Sequence, residues 1–462
     1  MIANYYEESV IKNNRLPEEW QSIESQETLG EFLQLNWQQR KAFFNDGDYS
    51  TRQQFLSFTS QGGIRTNNYI GTIVFRGSQI NIFPKVFRED KYDSDLSELD
   101  MKHLMYNLVQ WLNYCTRISY PYINILSELD DITDLRELFI TLFARYTKHA
   151  MDRGLFYRYE DKTESSLSVK GKVDYRDYYC KKIPTGQAYK FECTFSNFEF
   201  DNTVNRIIKY TCKSIMNDTS SKNRKILRNI LTRLNEVDDV KCSPYDCDKI
   251  RLSKLHSHYS MLLSMCKILL LNKNSSYSVN NTESFCFLFP TEVLFEGFVG
   301  GYMQEVLSGK GKVKLQASDM AMVNDIVFSG ESYGKAFTMK HDILVEHKEK
   351  GMVILDTKYK MTERFEESID IRRTLTDNVS QSDLYQIVTY AVKRNLPDVY
   401  LLYPMFRYES EEPDMPMMKI EHLVDGQTKP INVHIARVPF IFEENSEKTK
   451  IELANAINKI FA

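Results

Sequence analysis

The sequence predicts a multidomain α+β protein: a β-rich N-terminal part, a mostly helical middle and a C-terminal α/β domain. Three observations predict it. Apolar residues recur at every second position within residues 1–100, at helical spacing through 101–275, and in alternating helix-like and strand-like runs over 276–462. Polar stretches at Glu89 to Asp100 and at Asn272 to Ser284 punctuate the changes of period and serve as the expected boundaries.

Composition narrows the class. The chain has 462 residues, of which 42% are hydrophobic and 26% charged, so folded domains with real cores are expected rather than disorder. A net charge of −4 does not announce a nucleic-acid binder, so any DNA contact must come from local basic patches or from a partner. No apolar run approaches the roughly 20 residues of a membrane span. The first residues, MIANYYEESVIKNN, lack the basic-then-apolar order of a secretory signal, so a cytoplasmic protein with no membrane contact is expected. None of the eight cysteines forms a CxxC pair, which favours free thiols. Cys242 and Cys247, followed by His256 and His258, match zinc-finger spacing poorly and are expected to be packing residues.

In the first part, Tyr69 to Phe87 reads as a hairpin turning at Gly77-Ser78. FLSFTS, before Gly62-Gly63, is expected to be its neighbouring strand. Arg65, Arg76 and Lys85 are expected on a solvated face. In the middle, Leu104, Leu108, Trp111 and Leu112 form one helical stripe. Asp134 opens a second helix that continues through Tyr146. A strand-like interlude spans Tyr157 to Tyr179. Asp201 or Asn202 then caps a helix bearing Val204, Ile207, Ile208 and Ile215. Two further helices are predicted over Lys222 to Val237 and Leu255 to Leu271, and a short amphipathic one over Ser446 to Phe461.

The chemistry concentrates in Lys340 to Tyr390. KHDILVEHKEKGMVILDTKYK reads as two strands joined by the turn HKEKG, with Asp342 on one and Asp356 on the other. Lys358 follows Asp356 by two, so along a strand both face one way. Thr357 faces the other way, with its carbonyl still available to a metal. Val353, Ile354 and Leu355 mark a buried strand, where charged groups are costly unless paired or metal-bound. A surface strand with an i, i+2 salt bridge would use the same residues. Two flanking features favour a metal site for phosphodiester hydrolysis, which needs anionic oxygens and a group that orients water. Upstream, Glu296 sits on a predicted helix, TEVLFEGFVGGYM, as an edge residue or a further carboxylate of the metal shell. Downstream, DLYQIVTYAV places Gln386 and Tyr390 four apart on one helical face.

This ordered set resembles the PD-(D/E)xK nuclease superfamily in its branch with a trailing QxxxY. His341 stands where the motif's proline would precede Asp342. The resemblance implies a restriction-endonuclease-like domain, a mixed sheet flanked by helices. It also implies Mg²⁺, or Mn²⁺ in its place, held by Asp342, Asp356, Glu296 and the Thr357 carbonyl. Lys358 would lie near the attacking water, with Gln386 and Tyr390 completing the catalytic set.

The wider sequence resembles the McrC family, the nuclease component of McrBC-type modification-dependent restriction systems. GTIVFRGSQINIFPKV, VKGKVDYRDY, FSNFEFDNTVNRIIKYT, LFEGFVGGYM and the D…DxK pair occur in that order. Such proteins pair with an McrB-like AAA+ GTPase ring that reads modified DNA. They cut double-stranded DNA and bind no nucleotide themselves. Consistently, no GxxxxGK[ST] occurs here, since SGKGKVK at Ser308 lacks the spacing. The resemblance implies that residues 1–100 engage and stimulate the partner, with Arg65 and Arg76 as candidates by position alone. Two alternatives stand beside a partner-dependent endonuclease: a non-cleaving adaptor that only activates the GTPase ring, and a self-sufficient repair nuclease.

Overall fold

The computed structural model describes residues 2–39, 51–88, 101–115, 132, 134–256, 258–274, 284–361, 371–407, 415–424, 427–443 and 446–461. The predicted acidic linker and most of the predicted second boundary lie outside these residues. The protein is a mixed α+β chain. It divides into two compact units rather than three consecutive ones: residues 1–135 together with 277–462, and residues 136–276.

The first stretch holds β1 (Ile2–Tyr6), β2 (Val10–Ile11), α1 (Ile23–Gln39), β3 (Leu56–Phe58), β4 (Ile64–Thr66), β5 (Tyr69–Phe75), β6 (Ser78–Phe83) and α2 (Met101–Tyr114). β5 and β6 form the predicted hairpin, one residue out of the predicted turn. Phe75 pairs with Ser78, so the loop is Arg76-Gly77. Both loop residues have positive φ, 50° and 80°, the twist a two-residue hairpin needs. FLSFTS supplies β3, but its partner is β4 in a small β2-β4-β3 sheet, not the hairpin. The hairpin's neighbours are β1, parallel to β6, and Phe285–Pro290, a strand far along the chain. Trp20, Phe32, Trp37, Phe55 and Phe75 are buried in the core between these sheets and α1.

The second unit contains α3 (Leu135–Arg153), β7 (Arg158–Ser166), β8 (Lys172–Val173), α4 (Tyr175–Asp177), β9 (Phe191–Glu199), α5 (Thr203–Ile215), α6 (Ser221–Arg233) and α7 (His258–Asn274). β7, β9 and β8 form an antiparallel sheet. Asn202 is the cap of α5: its side chain accepts from the Asn205 amide at 3.1 Å. Cys242 and Cys247 are buried thiols, the latter pushed up to about 12 by burial. His256 points elsewhere, to Ser253 and the Phe156 ring. All eight cysteines are free.

The last stretch holds β10 (Phe285–Pro290), α8 (Thr291–Val306), β11 (Gly311–Val323), β12 (Val327–Phe328), β13 (Glu331–Ser332), β14 (Ala336–His347), β15 (Gly351–Thr357), α9 (Ile371–Asn378), α10 (Gln381–Arg394), β16 (Asp398–Pro404), β17 (Met417–Val424), β18 (Gln427–Val438) and α11 (Ser446–Ile460). β10 pairs antiparallel with β5 and completes the sheet β1-β6-β5-β10. The main sheet runs β11-β14-β15-β16-β18-β17. Its β15-β16 and β16-β18 contacts are parallel and the rest antiparallel, a mixed sheet with α10 in the β15-to-β16 crossover.

α2 lies in the same unit as this sheet, although its helical period groups it with the middle of the chain. Its Trp111 stacks on Phe440 at 4.2 Å and donates to that residue's carbonyl at 2.7 Å. Gly297 and Gly301, one turn apart on α8, let the end of α2 approach. A Cβ at 297 would meet the Cys115 sulfur at 2.1 Å, and one at 301 the Tyr114 carbonyl oxygen at 1.8 Å.

Candidate active site

The β14-β15 ladder runs from His347–Gly351 to Ile343–Leu355 and stops there. The next pair in register would be Asp342 and Asp356. At this point the strands part, and side-chain chemistry replaces main-chain pairing. Both the amide and the hydroxyl of Thr357 donate to Asp342 Oδ2 at 3.0 Å. Strict alternation would turn the Thr357 side chain away from the site. Thr357 still pairs with Leu402 of β16, but beyond the end of the β14 ladder its hydroxyl reaches Asp342.

Asp356 is fully buried, whereas the lysine two residues on has left the strand. Lys358 Nζ pairs with Asp356 Oδ2 at 2.6 Å. The other carboxylate oxygen, Oδ1, accepts no hydrogen bond at all. Burial, then repulsion from Asp342, pushes the Asp356 carboxyl up to about 7, against the pull of Lys358. Burial alone would lower the Lys358 pKa. The carboxylates of Asp356, Asp342 and Asp383 outweigh it, and the ammonium is held above its ordinary range.

α10 orients this lysine. Ser380 caps the helix by accepting from the Asp383 amide. Gln386 then accepts from Lys358 Nζ at 3.1 Å through its carbonyl oxygen and donates to Tyr390 Oη at 2.9 Å through its amide. Tyr390 in turn donates to the Lys340 carbonyl at 2.9 Å, and burial raises its pKa. His341, in the place of the motif's proline, packs on Tyr390 at 4.6 Å. It bridges the Ala317 carbonyl (3.1 Å) and Arg394 Nε (3.3 Å), with burial keeping the imidazole neutral.

The structure therefore gathers Asp342, Asp356, Thr357, Lys358, Gln386 and Tyr390. Glu296 approaches from α8 but meets Asp342 through an intermediary: Gln316 donates to Glu296 and, at 3.4 Å, to Asp342 Oδ1. Among the described residues no three His, Cys, Asp or Glu side chains form a ready-made metal cage. Two residues add to the predicted set. Asp383 lies 3.8 Å from Lys358 Nζ and also pairs with Lys360. Its position one turn before Gln386 was a readable signal. Gln316 carried none: it lies between the Leu315–Ile343 and Ala317–His341 pairs of β11 and β14, opposite Asp342, with φ at 52°.

The donor set fits a hard divalent cation. Asp342 and Asp356 face each other beside Lys358, Asp383 pairs with Lys358 and Lys360, and Glu296 is joined to Asp342 through Gln316. A buried carboxylate oxygen with no hydrogen-bond partner is the kind of atom a cation satisfies.

Fold and site together define a mixed α/β sheet with an acid–lysine cluster where two of its strands diverge. Comparison with known proteins takes the assignment further. Residues 64–404 match the family model for the McrBC 5-methylcytosine restriction system component, and the chain belongs to that family. No curated protein sequence matches. Among solved structures, the chain is similar to one from Thermococcus gammatolerans, a refined half-complex from a tetradecameric assembly of McrB AAA+ hexamers with bound McrC. That likeness has a TM-score of 0.60 and 16% identity over 100% of both chains. A second, the cryo-EM structure of the Thermococcus gammatolerans McrBC complex, has a TM-score of 0.44 and 16% identity, covering 67% of this chain and 88% of that one. Among the described residues no helix is long and apolar enough to cross a membrane.

Proposed function

We propose that this chain is the Mg²⁺-dependent DNA endonuclease subunit of an McrBC-like restriction complex, cutting double-stranded DNA when assembled with an AAA+ GTPase ring. The observation that carries the reading is the arrangement Asp342–Asp356–Lys358–Gln386, built where β14 and β15 part. Membership of the McrBC family and the McrB hexamers of the similar solved structure support the partner.

The residues divide the work. Asp342, Asp356 and the Thr357 carbonyl would hold the cation, with Glu296 acting through Gln316. Such a cation supplies charge neutralisation at the scissile phosphate and a more acidic bound water. Lys358 keeps its proton, so it serves as a donor and not as a general base. Its ammonium orients the attacking water and stabilises charge developing on the phosphate oxygens. Gln386 and Tyr390 fix its direction. Asp383 also balances the lysine's charge, at 3.8 Å.

The test is cleavage of methylated and unmethylated DNA by the chain with its co-expressed AAA+ partner, GTP and Mg²⁺. Asp356→Ala and Lys358→Ala are expected to abolish cutting while GTP hydrolysis by the assembly continues. Normal cutting by either variant would refute the site. Rapid GTP hydrolysis by the wild-type complex without any nicking would favour an adaptor instead.

A further inference from the structure

Glu7, just past the end of β1, is fully buried, and the nuclease reading above makes no use of it. Its carboxylate accepts three hydrogen bonds: from Tyr359 Oη at 2.7 Å, from the Lys85 amide at 2.8 Å and from Thr291 Oγ1 at 2.6 Å. Its own amide donates to the Phe83 carbonyl at 2.9 Å. The Lys85 ammonium lies above the Tyr359 ring at 4.7 Å and pairs with Glu8 at 2.8 Å. Lys85 is thus buried, not on the solvated face its sequence context suggests. A buried carboxylate is a costly way to join segments that apolar side chains could join equally well. What distinguishes Glu7 is which segments it joins.

Two of its three donors belong to elements that carry the site. Thr291 is the first residue of α8, on which Glu296 sits. Tyr359 follows Lys358 directly. Past the end of β15, Lys358 has one main-chain link to the sheet, its amide donating to the Leu402 carbonyl at 2.8 Å. The Lys360 amide closes back on the Lys358 carbonyl at 3.0 Å, so the chain bends there. Lys358 and Tyr359 share a rigid, planar peptide bond within this bend, so a side chain anchored at Tyr359 restricts where Lys358 can point. The Tyr359 ring is buried near Phe295 and Phe440, and its hydroxyl ends on Glu7.

We propose that Glu7 is a positioning residue for the nuclease site: by holding the Tyr359 hydroxyl it fixes the direction in which Lys358 leaves the end of β15. Because Glu7 terminates β1, the N-terminal strand sits one hydrogen bond from the residue beside the lysine. A displacement of β1 would be passed to the lysine through this bond. The inference rests on the nuclease reading and deepens it.

The experiment uses the full chain assembled with its AAA+ partner and compares Tyr359→Phe, Glu7→Ala and Glu7→Gln. Asp356→Ala and Lys358→Ala serve as controls. Single-turnover cleavage, the DNA concentration for half-maximal rate, GTP hydrolysis and melting temperature are measured for each. Tyr359→Phe is expected to lower the cleavage rate about tenfold. Half-saturation and GTP hydrolysis stay unchanged. Glu7→Ala falls at least as far. Glu7→Gln, whose amide oxygen still accepts from Tyr359, retains most of the wild-type rate.

Cleavage by Tyr359→Phe within twofold of wild type, with both controls inactive, overturns the inference and leaves the nuclease reading standing. Parallel losses of cleavage, GTP hydrolysis and melting temperature also overturn it, as a purely structural role. Controls that cut normally overturn both readings. If Glu7→Ala does not fold, the Tyr359→Phe rate decides.

Discussion

Gln386 spans Lys358 and Tyr390, its carbonyl oxygen 3.1 Å from Nζ and its amide nitrogen 2.9 Å from Oη. Since Tyr390 ends on the Lys340 carbonyl, the lysine is referred back to the main chain of β14, two residues before Asp342. A hydrogen bond to a charged group contributes about 1.5–3 kcal/mol, and one between neutral groups about 0.5–1.5 kcal/mol. Gln386→Leu should therefore slow single-turnover cleavage by roughly 10- to 100-fold, and Tyr390→Phe by less than about 10-fold. The order Lys358→Ala, Gln386→Leu, Tyr390→Phe, from most to least damaging, is the prediction. A Tyr390→Phe enzyme as slow as Lys358→Ala would contradict it.

Asp356 makes stability depend on pH. Its carboxyl titrates at about 7 in the folded chain. In the unfolded chain it titrates near 3.9. Between those values the folded state holds a proton that the unfolded state has lost. Stability contributed here is present below about pH 4 and declines as pH rises through about 7. Asp356→Asn removes this dependence. In EDTA, the wild-type urea midpoint should fall relative to that of Asp356→Asn between pH 5.5 and 8. Superimposable pH trends for the two proteins would count against the buried, repelled carboxylate.

Asp383 is predicted to matter although its segment was read only for Gln386 and Tyr390. Asp383→Asn keeps the shape and removes a charge facing Lys358 and Lys360. Cleavage is expected to fall by roughly tenfold, with a steeper loss in high salt as screening weakens the remaining pairs. An unchanged rate at both salt concentrations would make Asp383 a bystander.

Gly301→Ala tests the helix contact instead of the chemistry. The new Cβ would stand 1.8 Å from the Tyr114 carbonyl oxygen, a main-chain atom that cannot rotate aside. Overpacking of this kind costs about 1–3 kcal/mol or more. A clear drop in the urea midpoint is expected. A midpoint equal to that of wild type would mean that α2 and α8 slide apart freely.

The site was legible because its signal is local. Asp342 and Asp356 lie on a tight hairpin, Lys358 two residues on, and Gln386 and Tyr390 on one helical turn. Spacing alone brings such residues together. Thr357 was misdirected because strand alternation was carried two residues past Leu355, where β15 stops pairing with β14. Gln316 was invisible because the β11-β14 register that sets it opposite Asp342 joins segments no local window contains. At the level of fold, helices with clean stripes such as α2 and α5 were readable, but the sheet partners of β3, β5 and β10 were not. Which strand edge meets which depends on packing between distant segments, and apolar alternation does not specify it. Lys85 follows the same rule. Its charge suggested solvent, and its burial depends on Glu8 and Tyr359, which no local window contains.

The pairing of β10 with β5 also has a temporal side. Roughly 210 residues of chain lie between the two strands, a long loop to close before their contacts form. At synthesis rates of about 5–20 residues per second, β5 waits on the order of 10–40 seconds for its second neighbour. Throughout that interval one row of its main-chain N–H and C=O groups has no strand to pair with, beside apolar residues such as Ile70 and Ile73. The nascent chain thus passes through an adhesive stage that the finished protein hides. A fragment truncated before β10 would remain in that stage permanently.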